Sequence, residues 1–426
     1  MRLASRVISF VFVVFPFLVV FSLGTANARG GNEWFTAWAV AHNARQTTPA
    51  MANRTVRMIL MPNIPGHRLR VKLENTMGEA PVVFSAAFIG VAGEGANVVP
   101  GTNTQLTFGG MVGLTLAAGE GAYSDAIPFD VRPFQGLALS IDVAAAEDIS
   151  VHVVGLRINW SAAGARANDV SGAGFDPLPE IAPLNSGQWP FYWVAALDVR
   201  SPSSTGTIVL FGDSITDGRC STRDENLIVQ PNLYKRWGDV MAARLAQRPR
   251  NEQKGTANEG IAGNRVLNRG NGPSALERID RDVLDRSGGT HVIFFEGTND
   301  LAGEFTAMQI IEGTQIIIDK AHAAGMKIIG VTVIPRGRPA PMTGWTSTME
   351  GHRLALNFWL RNVANFDGLI DFDALMAHGP VVQLADGGTA AAIPTEWNCD
   401  FTHPNTAGYR AMGEFVDLSL FKQKTW

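Results

Sequence analysis

Residues 211–218 read FGDSITDG. Ser214 follows directly on the apolar run TIVLF (207–211), where a strand would hand over to a turn. A serine hydroxyl is a weak nucleophile until a base removes its proton, and Gly, Asp and Ser are also ordinary turn residues. The octapeptide alone leaves both readings open, nucleophile or turn serine. His403 is the candidate base. It lies in CDFTHPN (399–405), three residues after Asp400. On a single turn that spacing lets the carboxylate reach Nδ1–H, fix the tautomer and stabilise the imidazolium. The competing readings are a surface-loop histidine and an N-cap role for Asp400 at the segment beginning with His403. The other seven histidines have no such acid in a turn-rich setting; His322 has Asp319, but both fall in an amphipathic helix. Position 216 is Thr, so Ser214 does not sit in G-x-S-x-G. No H-E-x-x-H and no Cys/His ligand spacing occurs, so neither a metal nor another cofactor is expected.

These residues need elements to bring them together. From 207 onward, continuous apolar strands alternate with helices. TIVLF precedes a helix over 233–248, and a helix-like stretch at 274–286 leads into HVIFF (291–295). A helix over 306–325 precedes the strand 327–335, and one over 351–365 precedes the strand 368–373. Strands of this kind, separated by helices, indicate a parallel sheet covered on both faces, with its site at the carboxyl ends of the strands. Ser214 stands at such an end. Residues 30–160 read differently. Short apolar or alternating runs at 55–61, 67–74, 81–91, 136–143 and 149–158 are separated by turn clusters, the pattern of a β-sandwich or jelly roll. Residues 161–187 read as a loop or linker, and 191–201 as a strand that returns to the first domain. Trp34 and Trp38 offer either a carbohydrate-stacking platform or core and inter-domain packing, the second being the plainer reading.

Four blocks recur at strand-end positions or near the C-terminus: GDS with Ser214, NEGIAG (258–263) with Gly263, GTND (297–300) with Asn299, and DFTH with His403. In this order and spacing they resemble the SGNH hydrolases, or GDSL esterases/lipases, over about 207–426. Ile215 stands where the name-giving motif has Leu, a packing difference. The resemblance implies a flavodoxin-like parallel sheet, a Ser214–His403–Asp400 triad, and an oxyanion hole built from the N–H groups of Ser214 and Gly263 and the side-chain amide of Asn299. Glycine suits that role because no Cβ blocks approach to its N–H, and asparagine because its NH2 donates while staying neutral. Asp213, Asp217 and Asp300 read as scaffold carboxylates that hold loops. The β-rich N-terminal region, with VVPGTNTQLTFGG (98–110), also resembles the arylesterase-like subgroup that carries such a domain ahead of the hydrolase.

The chain has 426 residues, net charge −4 and only short Lys/Arg runs, so nucleic acid is not an expected partner. Residues 1–28 read as a signal peptide: Arg2 and Arg6, an apolar run over 8–24 containing Pro16, then ANA (26–28). A membrane anchor is the alternative; the small-residue site favours cleavage and a secreted or periplasmic protein with no stable anchor. The expected division is thus 1–28, a β-domain at 29–200 and the hydrolase at 201–426. In an oxidising compartment the two cysteines are free to pair. Cys220 lies six residues after Ser214 and Cys399 adjoins Asp400, so a meeting of Ser214 with His403 would bring them together; otherwise they are two small apolar core residues. The expected function is a serine carboxylic-ester hydrolase acting on short-chain, aryl or carbohydrate O-acyl esters, small-molecule or polysaccharide. The rivals are lipase, thioesterase or acyltransferase chemistry at the same site, and a glycan-binding protein with a residual hydrolase domain.

Overall fold

An apolar run such as 207–211 has no polar face to offer solvent, so it is stable as a strand only with both faces covered. The computed structural model describes residues 33–180, 188–201, 206–223 and 230–422. It contains strand Thr207–Gly212 within a five-stranded, wholly parallel sheet. Gly255–Gly260 lies on one side of it, and Gly289–Phe295, Lys327–Val331 and Gly368–Ile370 follow on the other. This is the flavodoxin-like order, with its switch point between Thr207–Gly212 and Gly289–Phe295, the place where sheets of this kind bind their ligands at the carboxyl ends.

The pleat divides the apolar residues between two cores. Val209, Phe211, Val292 and Phe294 face helices Ala307–Ala323 and Ser347–Asn362. Ile208, Leu210, Ile293 and Phe295 face helices Trp237–Ala246 and Thr406–Phe415. The helix starts are marked in the sequence. Thr306 caps Ala307–Ala323 with a reciprocal bond from Gln309, and Asn405 caps the last helix by accepting from the N–H groups of Ala407 and Gly408.

Ahead of this sheet the chain forms an antiparallel sandwich. One sheet runs Trp34–Ala39, Val194–Arg200, Gly66–Glu74, Gly121–Tyr123, with Ile127–Val131 also on Gly66–Glu74. The other is centred on Arg54–Leu60, Leu137–Ala146 and Val82–Val91. Leu69, Val71 and Leu197 of the first sheet pack against Met58, Leu139 and Ile141 of the second. The strand expected to return to the first domain does so, pairing with both Trp34–Ala39 and Gly66–Glu74.

Some boundaries differ from the sequence reading. Part of 161–187 is not linker. Trp160–Ala163 pairs with Arg54–Leu60, Asp176–Pro177 adds to its far side, and 181–187 lie outside the described residues. Composition misses this because short edge strands carry small and polar residues. The run 149–158 is a strand only over Ile149–His152. The helix at 233–248 starts at Trp237. The 274–286 helix passes from α to a π turn at 280–284. The proposed signal peptide lies outside the described residues. No helix among the described residues is long and apolar enough to cross a membrane.

Candidate active site

Gly212 aligns with Gly260 on one neighbouring strand and with Phe295 on the other, so the loops after all three open on one edge. Asp213 caps the helical turn Ser214–Asp217 by accepting from the N–H of Ile215 at 2.8 Å. Ser214 opens that turn, where a backbone N–H has no intrahelical acceptor. Asn258 ties the turn to the adjacent strand, its amide donating to the carbonyl of Thr216 at 2.9 Å. The turn packs so closely that a Cβ on Gly260 would stand 2.2 Å from the Asp217 nitrogen.

His403 reaches this turn from the far end of the sequence. Its Nε2 is 2.8 Å from Ser214 Oγ, and both residues are buried. Its Nδ1 lies 2.9 and 3.0 Å from the two Asp400 oxygens, so the carboxylate accepts a hydrogen bond from Nδ1–H and leaves Nε2 free to accept from the serine. Asp400 also accepts from the N–H groups of His403 and Thr402. It does not cap the following helix; Asn405 does. Burial works against the Asp400 charge, but the bonds from His403 and the two N–H groups outweigh it and hold the carboxyl well below its usual range. For His403 burial is the larger effect. Helped by the charges of Arg219 and Arg336, it outweighs Asp400 and lowers the imidazole below its ordinary value. The ring is thus neutral near pH 7.

Gly263 has φ +78°, and a Cβ there would lie 2.5 Å from Asn271 Nδ2, so both conformation and space call for glycine. Its N–H has no acceptor among the described residues. Asn299 lies in the turn after Gly289–Phe295 and donates one amide hydrogen to the Asn264 carbonyl at 2.9 Å, beside Gly263. The three carboxylates read as scaffold all receive backbone donors: Asp213 as above, Asp217 from Ala262 at 2.8 Å, and Asp300 from Val266 and Leu267. Burial, reinforced by neighbouring carboxylates, pushes Asp213 up to about 7. Burial likewise pushes Asp300 up to about 6.

Cys220 and Cys399 form a disulfide with Cα atoms 6.4 Å apart. Cys220, Asp400 and His403 are the one group of three possible metal ligands among the described residues. That sulfur is committed to the disulfide, and both ring nitrogens of His403 to Ser214 and Asp400, so the group offers no ready metal site.

Several residues of the site carry no local sequence signal. Arg278 is wholly buried and donates to the carbonyls of Gly212 and Glu259 and to Asn264 Oδ1, lacing the strand ends together. Its i, i+4 spacing with Asp282 would also fit a solvated helix face. Arg336 donates to Thr298 and Arg338 to Thr402, the residues just before Asn299 and His403. Trp34 lies within cation–π distance of Arg70 and Arg200, and Trp38 meets Phe191 edge-on, contacts of the kind the packing reading expects.

Residues 210–411 match the profile of the GDSL-like lipase/acylhydrolase family, and this stretch is a domain of that family. Among solved structures, the chain is similar to the native aryl esterase of M. smegmatis (17% identity, 49% of this chain and 95% of that one, TM-score 0.37). It is also similar to a carbohydrate acetylesterase from Sinorhizobium meliloti (18%, 49% and 94%, 0.37). A third is a GDSL-like lipase from Bacteroides thetaiotaomicron VPI-5482 (20%, 50% and 87%, 0.36). No curated protein sequence matches the chain.

Proposed function

We infer that the protein is a serine carboxylic-ester hydrolase working through an acyl-enzyme. The observation that carries this reading is the 2.8 Å contact of Ser214 Oγ with His403 Nε2, with Asp400 on Nδ1. Ser214 Oγ attacks the ester carbonyl carbon while its proton passes to Nε2. The resulting oxyanion is held by the N–H groups of Ser214 and Gly263 and the Asn299 amide. The C–O bond to the alcohol breaks, and the Nε2 proton goes to the leaving oxygen. Water then attacks the acyl-serine, gives its proton to Nε2, and the acid leaves as Ser214 regains its proton. The substrates are short-chain, aryl or carbohydrate O-acyl esters. The disulfide is compatible with an oxidising compartment, and we assign the protein outside the cytoplasm, with the sandwich at 29–200 and the hydrolase at 201–426.

A panel of p-nitrophenyl esters and acylated polysaccharides tests both parts. Ser214→Ala and His403→Ala are expected to lower kcat by on the order of 10³-fold or more, because the triad acts as a unit. Full hydrolysis by Ser214→Ala would overturn the mechanism. Preference for long acyl chains or thioesters would overturn the substrate class alone.

A further inference from the structure

His152 belongs to the N-terminal β-domain, at the end of strand Ile149–His152 of a small three-stranded sheet that packs into the sandwich core, yet its ring lies against the nucleophile turn. Its Nε2 is 3.1 Å from Asp217 Oδ1, and its Nδ1 is 2.7 Å from the carbonyl of Ala41. His152 and Asp217 are both buried. Asp217 is the last residue of the turn that begins with Ser214. Its second oxygen, Oδ2, accepts from the N–H of Ala262, the residue before Gly263. One carboxylate therefore joins the nucleophile turn to the loop that carries an oxyanion donor, and a histidine from the other domain holds its free oxygen.

The neighbours support this geometry. Arg236 donates from Nε to the Asp217 carbonyl at 2.6 Å and from Nη2 to the Gly155 carbonyl at 3.2 Å, a second link from the turn to the sandwich side. A carbonyl oxygen can only accept, so Nδ1 of His152 donates to Ala41, and Nε2 shares with Asp217 a hydrogen bond that favours a positive charge on the ring. Burial opposes that charge, and Arg236 does too, but the charge and hydrogen bond of Asp217 and the bond to Ala41 outweigh them and raise the group. His42 is another titratable side chain of the sandwich close enough to act on His152; burial keeps it neutral, lowered to about 4.

We propose that His152 is a positioning residue of the hydrolase, bracing Asp217 so that Ser214 and the N–H of Gly263 keep their relative placement. The sandwich is then a working part of the active site. This rests on the ester-hydrolase reading above.

Two isosteric variants of the full-length protein separate the two bonds. In His152→Gln the amide nitrogen takes the place of Nε2 and keeps the Asp217 contact. In His152→Asn it takes the place of Nδ1 and keeps only the Ala41 contact. Each variant is assayed with a short p-nitrophenyl ester, with active sites counted by fluorophosphonate labelling of Ser214 so that kcat refers to folded enzyme. The Asn variant is expected to lose roughly 10- to 100-fold in kcat with KM within about twofold, the cost of misplacing reacting groups. The Gln variant is expected to stay within about threefold of the parent. Equal kcat in the two variants, or a change confined to KM, would overturn the proposal. Should neither variant label, Asp217→Ala removes the contact from the other side, and parental kcat there would overturn it as well. Failure of the hydrolase reading is distinct: the parent would then show no turnover, or turnover that survives Ser214→Ala.

Discussion

At Ser214 the hydroxyl proton has its acceptor in place, and the acceptor is neutral because burial and two arginines disfavour its charge. Proton affinity sets the pH dependence. Below its pKa His403 is charged and cannot take the serine proton; above it the base is free. Activity thus rises with pH through the folded-state pKa. From the residue type alone that limb is expected at about 6–7; the buried environment moves it below the ordinary histidine value. A pH series of kcat/KM on the free enzyme checks this, and a limb above that value would contradict the placement of Arg219 and Arg336. Asn299 makes a different contribution. One of its amide hydrogens is spent on Asn264, which fixes the direction of the other. Asn299→Ala is expected to lower kcat by roughly 10²–10³-fold with little change in KM, as for loss of one oxyanion donor. A change in KM alone would make it a substrate-binding residue.

At the scale of elements, the turn Ser214–Asp217 and the loop 398–405 come from opposite ends of the hydrolase domain and are joined by the Cys220–Cys399 disulfide. The linked residues are 179 apart in sequence. Closing so long a loop corresponds to about 5 kcal/mol in the idealised chain-entropy model, an upper bound. The bridge also ties the residue next to Asp400 to the chain just beyond Ser214, so its loss is expected to free the loop 398–405 before the sheet gives way. Mild reduction, or Cys220→Ser with Cys399→Ser, is expected to lower activity at temperatures where circular dichroism still reports a folded sheet. Activity that falls only together with the sheet signal would refute this.

For the whole molecule, the sandwich closes an edge that a parallel sheet leaves open. Gly255–Gly260 is the outermost strand, and Asn63 of the sandwich pairs with it as a further strand would, donating to the Thr256 carbonyl at 2.8 Å and accepting from its N–H at 3.0 Å. Thr36 donates to Thr207 Oγ1, and Arg281 donates to the carbonyl of His42. The buried Glu74 carboxylate of the sandwich is held low, against burial, by nearby cations, Arg281 and Arg286 among them. Charges and edges satisfied across a boundary couple the two sides. Calorimetry of the intact protein is therefore expected to show one main unfolding transition. Asn63→Ala, which strands buried polar groups of Thr256, is expected to destabilise it by about 1–3 kcal/mol. Two well-separated transitions in the parent would show that the boundary carries little energy.

Local chemistry was legible in the sequence wherever a residue's role depends on its immediate neighbours. The strand after which Ser214 stands, the three-residue step from Asp400 to His403, and the change from alternating to strand–helix patterning near 207 are all short-range patterns, and short-range patterns survive in a linear chain. Even the meeting of Cys220 with Cys399 followed from the meeting of Ser214 with His403. Helix ends and the small strands at 160–163 and 176–177 were not legible, since pairing rather than composition makes them. Tertiary structure alone decided which charges are inside. Arg278 and His152 look like surface and strand residues until the strand ends converge on one and the nucleophile turn meets the other. Their partners lie 66 and 65 residues away in sequence, and no local pattern records that distance. The side chains proposed to do the chemistry announce themselves by type and spacing, whereas those that hold them in place are defined by packing between elements.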